Sequence, residues 1–188
     1  SPFISQQLAE ELIDKETLIM IMDTHSKSFL ESDRIYELAN KVVVIDHHRL
    51  TMDYIDDAVV FYHEPSASST SEMVTELIQY MASSLTDKVQ AKALLAGIML
   101  DTKNFIIKTS ARTFEAAAYL RLKGADTIAV KKLFADPMNA YKLKCKLMSQ
   151  VEVYNNCAVV CATESIEDDI NMKIICSQVA DDLLSIDN

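Results

Sequence analysis

"VVVIDHHRL", residues 42–50, sets four β-branched apolar residues directly against an acid and two adjacent histidines. A continuous apolar run of that kind is the pattern of a strand buried on both faces. "TLIMIMDT", residues 17–24, repeats the pattern and ends in Asp23, and "ESDRIYELAN" between the two runs reads as a short helix. Strand, helix and strand within about thirty residues form a βαβ unit, whose strands are parallel neighbours. Parallel neighbours end at the same edge of the sheet, and in open α/β sheets that edge is where ligands bind. Asp23 and the Asp46-His47-His48 run are therefore predicted to converge on one crevice.

Outward from this unit, Ser5 caps a short helix in "QQLAEELIDK", and "AVVFYHE" (58–64) reads as a third strand. "PSASSTSEM" is a Ser/Thr-rich loop leading into the helix "EMVTELIQYM". "DKVQAKALLAGIMLDTKNF" is helical through its apolar middle, with Gly97 loosening the end before Asp101. "ARTFEAAAYLRLKGAD" is a helix stopped at Gly124, and residues 126–150 are mainly helical. From about 151 the pattern changes to a hairpin turned at Asn155-Asn156 and then an amphipathic helix, "MKIICSQVADDLLSI". The fold class expected is α/β: a parallel-sheet domain over 1–135, a helical connector over 136–150, and the beginning of a smaller α/β domain over 151–188.

Composition narrows the function. A hydrophobic content of 49% in 188 residues is enough for one core and part of a second. No apolar run approaches a membrane span and the start lacks the features of a signal peptide, so this stretch reads as soluble. A formal net charge of −10 argues against a duplex nucleic-acid binder, whose surface carries a basic stripe. Cys145, Cys157, Cys161 and Cys176 include no CxxC pair and have no histidine near them, and they are expected to be reduced, mostly buried thiols of a cytosolic protein. Only Gly97 and Gly124 are glycines, against roughly thirteen at average usage, so a glycine-rich phosphate cradle is absent.

The residues able to carry chemistry are Asp23, Asp46, His47, His48 and Asp101, with His25 and His63 as outliers. Carboxylates suit Mn²⁺ and Mg²⁺, and imidazole shifts preference toward manganese, iron, cobalt or zinc. Two or three aspartates with a histidine form a hydrolytic metal set rather than a structural zinc set. Simpler roles stand beside these: Asp23 as the cap of the next turn, Asp101 as part of a helix-ending turn, and His25 and His63 as surface residues or supports behind the ligands. Adjacent strand residues point to opposite faces, so one of His47 and His48 can ligate while the other meets substrate. A serine nucleophile in "SASSTS" is disfavoured because no G-x-S-x-G elbow surrounds it, whereas its hydroxyls can cap a helix and touch phosphate.

"VIDHH" resembles the signature of the DHH phosphoesterase superfamily, "IMDTH" its preceding aspartate motif, and "AGIMLDTKNF" its later G-I-x-x-D-T motif, in the family's order. "PSASSTSEMVTELIQY", "DTKNF" and "RTFEAAAYLRLKGAD" look most like the catalytic region of GdpP-type cyclic-di-AMP phosphodiesterases, membrane-anchored bacterial proteins ending in a DHH/DHHA1 module. The resemblance implies that Asp23 bridges two Mn²⁺ ions, with Mg²⁺ or Co²⁺ as substitutes, and that His47 and Asp101 ligate the second ion. It further implies that His48 contacts the scissile phosphate, that Asp46 orients a histidine, and that Ser69, Thr70 and Ser71 touch substrate. The implied reaction opens cyclic di-AMP to linear pApA, on the cytoplasmic side of a parent protein anchored in the membrane.

The family's first motif, a histidine followed by Asp-x-Asp, and its glycine-rich G-G-G-H motif do not occur in these residues. The resemblance therefore describes the later part of a DHH domain and the start of DHHA1, an incomplete catalytic region expected to turn over little by itself. Other functions stay open: an oligoribonuclease/pAp phosphatase, a manganese pyrophosphatase or an exonuclease of the same superfamily, or a non-catalytic nucleotide-binding module that dimerises.

Overall fold

The computed structural model describes residues 3–81, 87–162 and 172–186. They form two compact units, Ser1–Leu133 and Phe134–Asn188. In the first, helix α1 (Gln6–Leu12) begins at Ser5, whose Oγ accepts the Leu8 N–H at 3.2 Å. Strand β1 (Leu18–Met22), helix α2 (Asp33–Leu38) and strand β2 (Lys41–Asp46) come next, then strand β3 (Val60–His63). The sheet order is β1-β2-β3 and both pairings are parallel, as the βαβ reading requires.

Strand β2 is central, and its alternation serves two cores. Val42 and Val44 pack with Ile21 and Ile55 on one face, while Ile45 packs with Ala67 and Met73 on the other. Strand β1 departs from expectation. Among the described strands it lies at the sheet edge, and Leu18, Met20 and Met22 are 40–52% exposed, so only the side bearing Ile21 is covered.

Helix α3 (Thr70–Tyr80) packs Met73 against Ile45 and Ala67, while helices α4 (Lys88–Asp101), α5 (Ala111–Leu122) and α6 (Thr127–Leu133) surround Leu95, Ile98, Leu120 and Val130. Helix α5 ends where expected, with Gly124 at φ 96° in the left-handed conformation that glycine adopts without penalty. Gly97 does something other than loosen α4. A Cβ built on it would lie 2.1 Å from Ser71 Oγ and 2.9 Å from Ser71 Cβ, so the missing side chain is what lets α3 and α4 approach. Gly97→Ala is expected to destabilise the fold by about 1–2 kcal/mol in denaturant titration, because overpacking outweighs the ~1 kcal/mol of helix propensity gained.

In the second unit, helix α7 (Met138–Met148) falls in the stretch read as a connector and packs on helix α8 (Met172–Leu183) through Ala140, Leu147, Ile175 and Val179. Between them strands β4 (Glu152–Tyr154) and β5 (Cys157–Val159) pair antiparallel across Asn155 and Asn156, both left-handed at φ 47° and 65°. That is the geometry of the predicted tight hairpin. Residues 163–165 of the stretch read as a hairpin lie outside the described residues. The four cysteines overturn the burial expectation: all are exposed, because the α7–α8 contact runs through aliphatic neighbours and the hairpin strands are exposed along their length. Among the described residues no helix is long and apolar enough to cross a membrane.

Candidate metal centre

The strand register brings the polar ends together. Met22 pairs with Ile45 and Asp46 with His63, and the Asp23 N–H donates to the Ile45 carbonyl at 3.0 Å. Asp23 leaves the strand in the left-handed region, at φ 65°, a conformation uncommon outside glycine and concentrated at functional sites. Its carboxylate faces His47, with 3.6 Å between Oδ1 and His47 Nε2.

Asp101 arrives from the opposite layer, at the last turn of α4, with Oδ2 3.5 Å from His47 Nε2. Buried Thr102 organises the end of this helix: its Oγ1 donates to the Ile98 carbonyl at 2.6 Å and accepts the Phe105 N–H at 2.9 Å. Its carbonyl accepts the Ile106 and Ile107 N–H groups, at 2.8 and 2.9 Å. This hub sustains three successive left-handed residues, Lys103, Asn104 and Phe105, that turn the chain away directly after the site. Burial pushes the Asp101 carboxyl above the usual carboxylate range, and the Asp23 charge adds to the shift.

His47 is 6% exposed and its Nδ1 lies 3.3 Å from the Ala67 carbonyl. A carbonyl only accepts, so Nδ1 carries a proton, and the ring turns Nε2 toward the two carboxylates. Two donors about 2.1 Å from a shared ion in tetrahedral geometry lie roughly 3.4 Å apart, and the observed 3.5 and 3.6 Å agree. Those separations are too long for strong hydrogen bonds. Asp23, His47 and His48 also offer ligand atoms that all lie within 4.8 Å of one another. Carboxylates and imidazole without sulfur suit manganese and related divalent ions, so the residues present fit a divalent metal.

Asp46 stands behind the histidines. It is fully buried, and Oδ1 accepts from His48 Nδ1 at 2.7 Å and from the His48 N–H at 3.2 Å, while Oδ2 makes a short contact with His25 Nδ1. Burial pushes its carboxyl up, but the bonds from His48 and His25 outweigh that and hold it below the usual range. The Thr51 N–H donates to His25 Nε2 at 3.0 Å, which fixes the His25 proton on Nδ1, toward Asp46. His63 Nε2 donates to the His48 carbonyl at 2.6 Å. His25 is thus a buried support, a role open to it in the sequence, and the surface alternative falls away. Asp53 secures the turn that carries His25, accepting from Ser26 Oγ at 2.8 Å and from the Ser28 N–H at 3.0 Å.

The three residues read as substrate contacts start α3. Ser69 is fully buried and caps the helix, accepting the Glu72 N–H at 3.0 Å. Thr70 is 6% exposed, and Ser71 Oγ packs toward Gly97. Arg49 was not singled out in the sequence. It lines, with Asp23 and His48, a cavity of about 850 Å³ beside the site, and its place directly after "DHH" was the available signal.

With this geometry established, the comparisons place the chain. The profile described as DHH family, N-terminal domain, matches residues 3–98, over half the chain, and the protein belongs to the DHH family. It is 40% identical over 187 residues to the cyclic-di-AMP phosphodiesterase GdpP of Bacillus subtilis, covering 99% of this chain and 28% of that one. It is 37% identical over 185 residues to the cyclic-di-AMP phosphodiesterase PdeA of Listeria monocytogenes, covering 98% and 28%. The chain thus spans little more than a quarter of the length of these relatives. Among solved structures, an exopolyphosphatase-related protein from Bacteroides fragilis matches with a TM-score of 0.70 and 26% identity, covering 79% of this chain and 45% of that one.

Proposed function

We propose that this chain carries part of the catalytic centre of a phosphodiesterase that hydrolyses cyclic di-AMP to linear pApA with manganese. The observation that carries the reading is His47 Nε2 facing Asp23 and Asp101 at 3.6 and 3.5 Å, at the ligand-binding edge of a parallel sheet. The substrate comes from the two relatives named for it, which match nearly the whole chain.

Asp23, His47 and Asp101 would hold the ion. When bound, a divalent ion polarises a phosphoryl oxygen and lowers the pKa of water. His48 is oriented by Asp46 through Nδ1, which leaves Nε2 on the far side of the ring for the scissile phosphate. Arg49, at the cavity, offers a forked cation to a phosphate oxygen. Water adds across one phosphodiester bond, opening the ring. Ser69 and Thr70 support this arrangement from inside the α3 start rather than by touching the substrate. A membrane-anchored parent agrees with a 34% identical phytoplasma relative described as a membrane protein fused to a ribosomal subunit; the site would face the cytoplasm.

The test is a graft in which this chain replaces the matching segment of the Bacillus subtilis relative, assayed by chromatography for manganese-supported conversion of cyclic di-AMP to pApA. Conversion supports the reading. A folded graft that cleaves only linear dinucleotides would move the protein to the oligoribonuclease branch.

A further inference from the structure

The loop that leaves β3 contains a set of buried polar groups that neither metal binding nor substrate binding uses. Ala67 and Ser68 are 1% exposed and Glu72 is fully buried. Ser68 Oγ donates to Glu72 Oε2 at 2.5 Å, while Glu72 Oε1 and Thr70 Oγ1 are buried with no hydrogen-bond partner. A buried carboxylate with one oxygen unsatisfied is unfavourable in itself, so its presence calls for a reason.

The reason lies one peptide away. The Ala67 carbonyl that receives His47 Nδ1–H belongs to the peptide unit linking Ala67 to Ser68. That unit is fixed from both sides. The Ala67 N–H donates to the Glu64 carbonyl at 3.0 Å, and the Glu64 N–H donates to the Asp46 carbonyl at 3.0 Å, tying the loop to the end of β2. On the other side the Ser68 hydroxyl is held by Glu72, and Glu72 is itself set in the first turn of α3 by the Ser69 cap.

We propose that Ser68 and Glu72 are positioning residues for His47: their hydrogen bond aims the Ala67 carbonyl at Nδ1, and so holds the ring with Nε2 turned toward Asp23 and Asp101. Neither residue touches metal or substrate. The signal in the sequence is a serine four residues before a glutamate at a helix start, "SSTSE". The inference rests on the metal reading of the site, but its direct readout does not.

The test uses the chain as it stands, ¹⁵N-labelled and freed of metal with chelator. Long-range ¹H–¹⁵N correlation spectra detect the proton on His47 Nδ1 and how fast it exchanges with water, and His47→Ala assigns the His47 signals. The wild type is expected to show a slowly exchanging Nδ1–H on His47, held by the Ala67 carbonyl. Ser68→Ala and Glu72→Met are each expected to speed that exchange at least about tenfold and to weaken Mn²⁺ binding about tenfold to a hundredfold. Glu72→Gln keeps an acceptor for Ser68 and is expected to restore both. Unchanged Nδ1–H exchange in folded Ser68→Ala, the milder variant, would overturn the proposal and leave the pair a purely structural clasp. Faster Nδ1–H exchange in the variants of a chain whose wild type binds no Mn²⁺ would uphold the positioning and sink the metal reading instead.

Discussion

Replacing His47 by alanine in the grafted protein is expected to reduce manganese-supported hydrolysis of cyclic di-AMP by more than about a hundredfold, since losing even a residue that only orients a ligand costs 10–100-fold. His47 faces both Asp23 and Asp101, so its removal takes away the donor around which the two carboxylates are gathered. The carboxylates would then repel each other with nothing between them; the raised Asp101 carboxyl already shows that repulsion, added to burial. Fold is expected to survive, because the β2 core is made by Val42, Val44 and Ile45 rather than by the imidazole. Circular dichroism on the same preparation separates loss of site from loss of structure.

Asp46→Ala should damage the fold itself, by roughly 3 kcal/mol in denaturant titration, because it removes hydrogen bonds to a buried carboxylate and leaves the buried His25 donor unpaired. Its two oxygens receive His25 Nδ1, His48 Nδ1 and the His48 N–H, and His25, 2% exposed, has no water to replace the lost acceptor. Asp46→Asn should lose less, since its side-chain carbonyl still accepts one of these bonds. The pair of variants distinguishes packing from charge: if alanine and asparagine cost the same, the carboxylate's charge is what matters.

The convergence of Asp23, Asp46 and His47 was legible in the sequence because it depends only on strand direction and on where each apolar run stops. Two parallel strands that end in polar residues must present them at one edge, and the register delivers that. His25 was not legible as a buried support. Its partners are Asp46 and Thr51, and the turn bearing it is held to the 51–55 segment by contacts such as the Ile55 N–H on the His25 carbonyl at 2.8 Å, which no local pattern encodes. Ser69, Thr70 and Ser71 illustrate the opposite limit. A Ser/Thr run before a helix announces hydroxyls, but cap, packing contact and ligand contact share that composition; the structure shows Ser69 as the cap and Ser71 against Gly97. The cysteines show the same limit. Cys176 adjoins buried Ile175 in α8, and one residue of helical rotation turns it outward.

Manganese binding by the 188-residue chain itself tests the central claim most directly. Electron paramagnetic resonance of free Mn²⁺ is titrated with the wild type and with the doubly substituted chain His47→Ala, Asp101→Asn. The account predicts that the wild type removes the free-ion signal saturably and that the double variant does not. Equal, unsaturable loss of signal in both would mean that the acidic surface, and not the strand-end centre, attracts the ion.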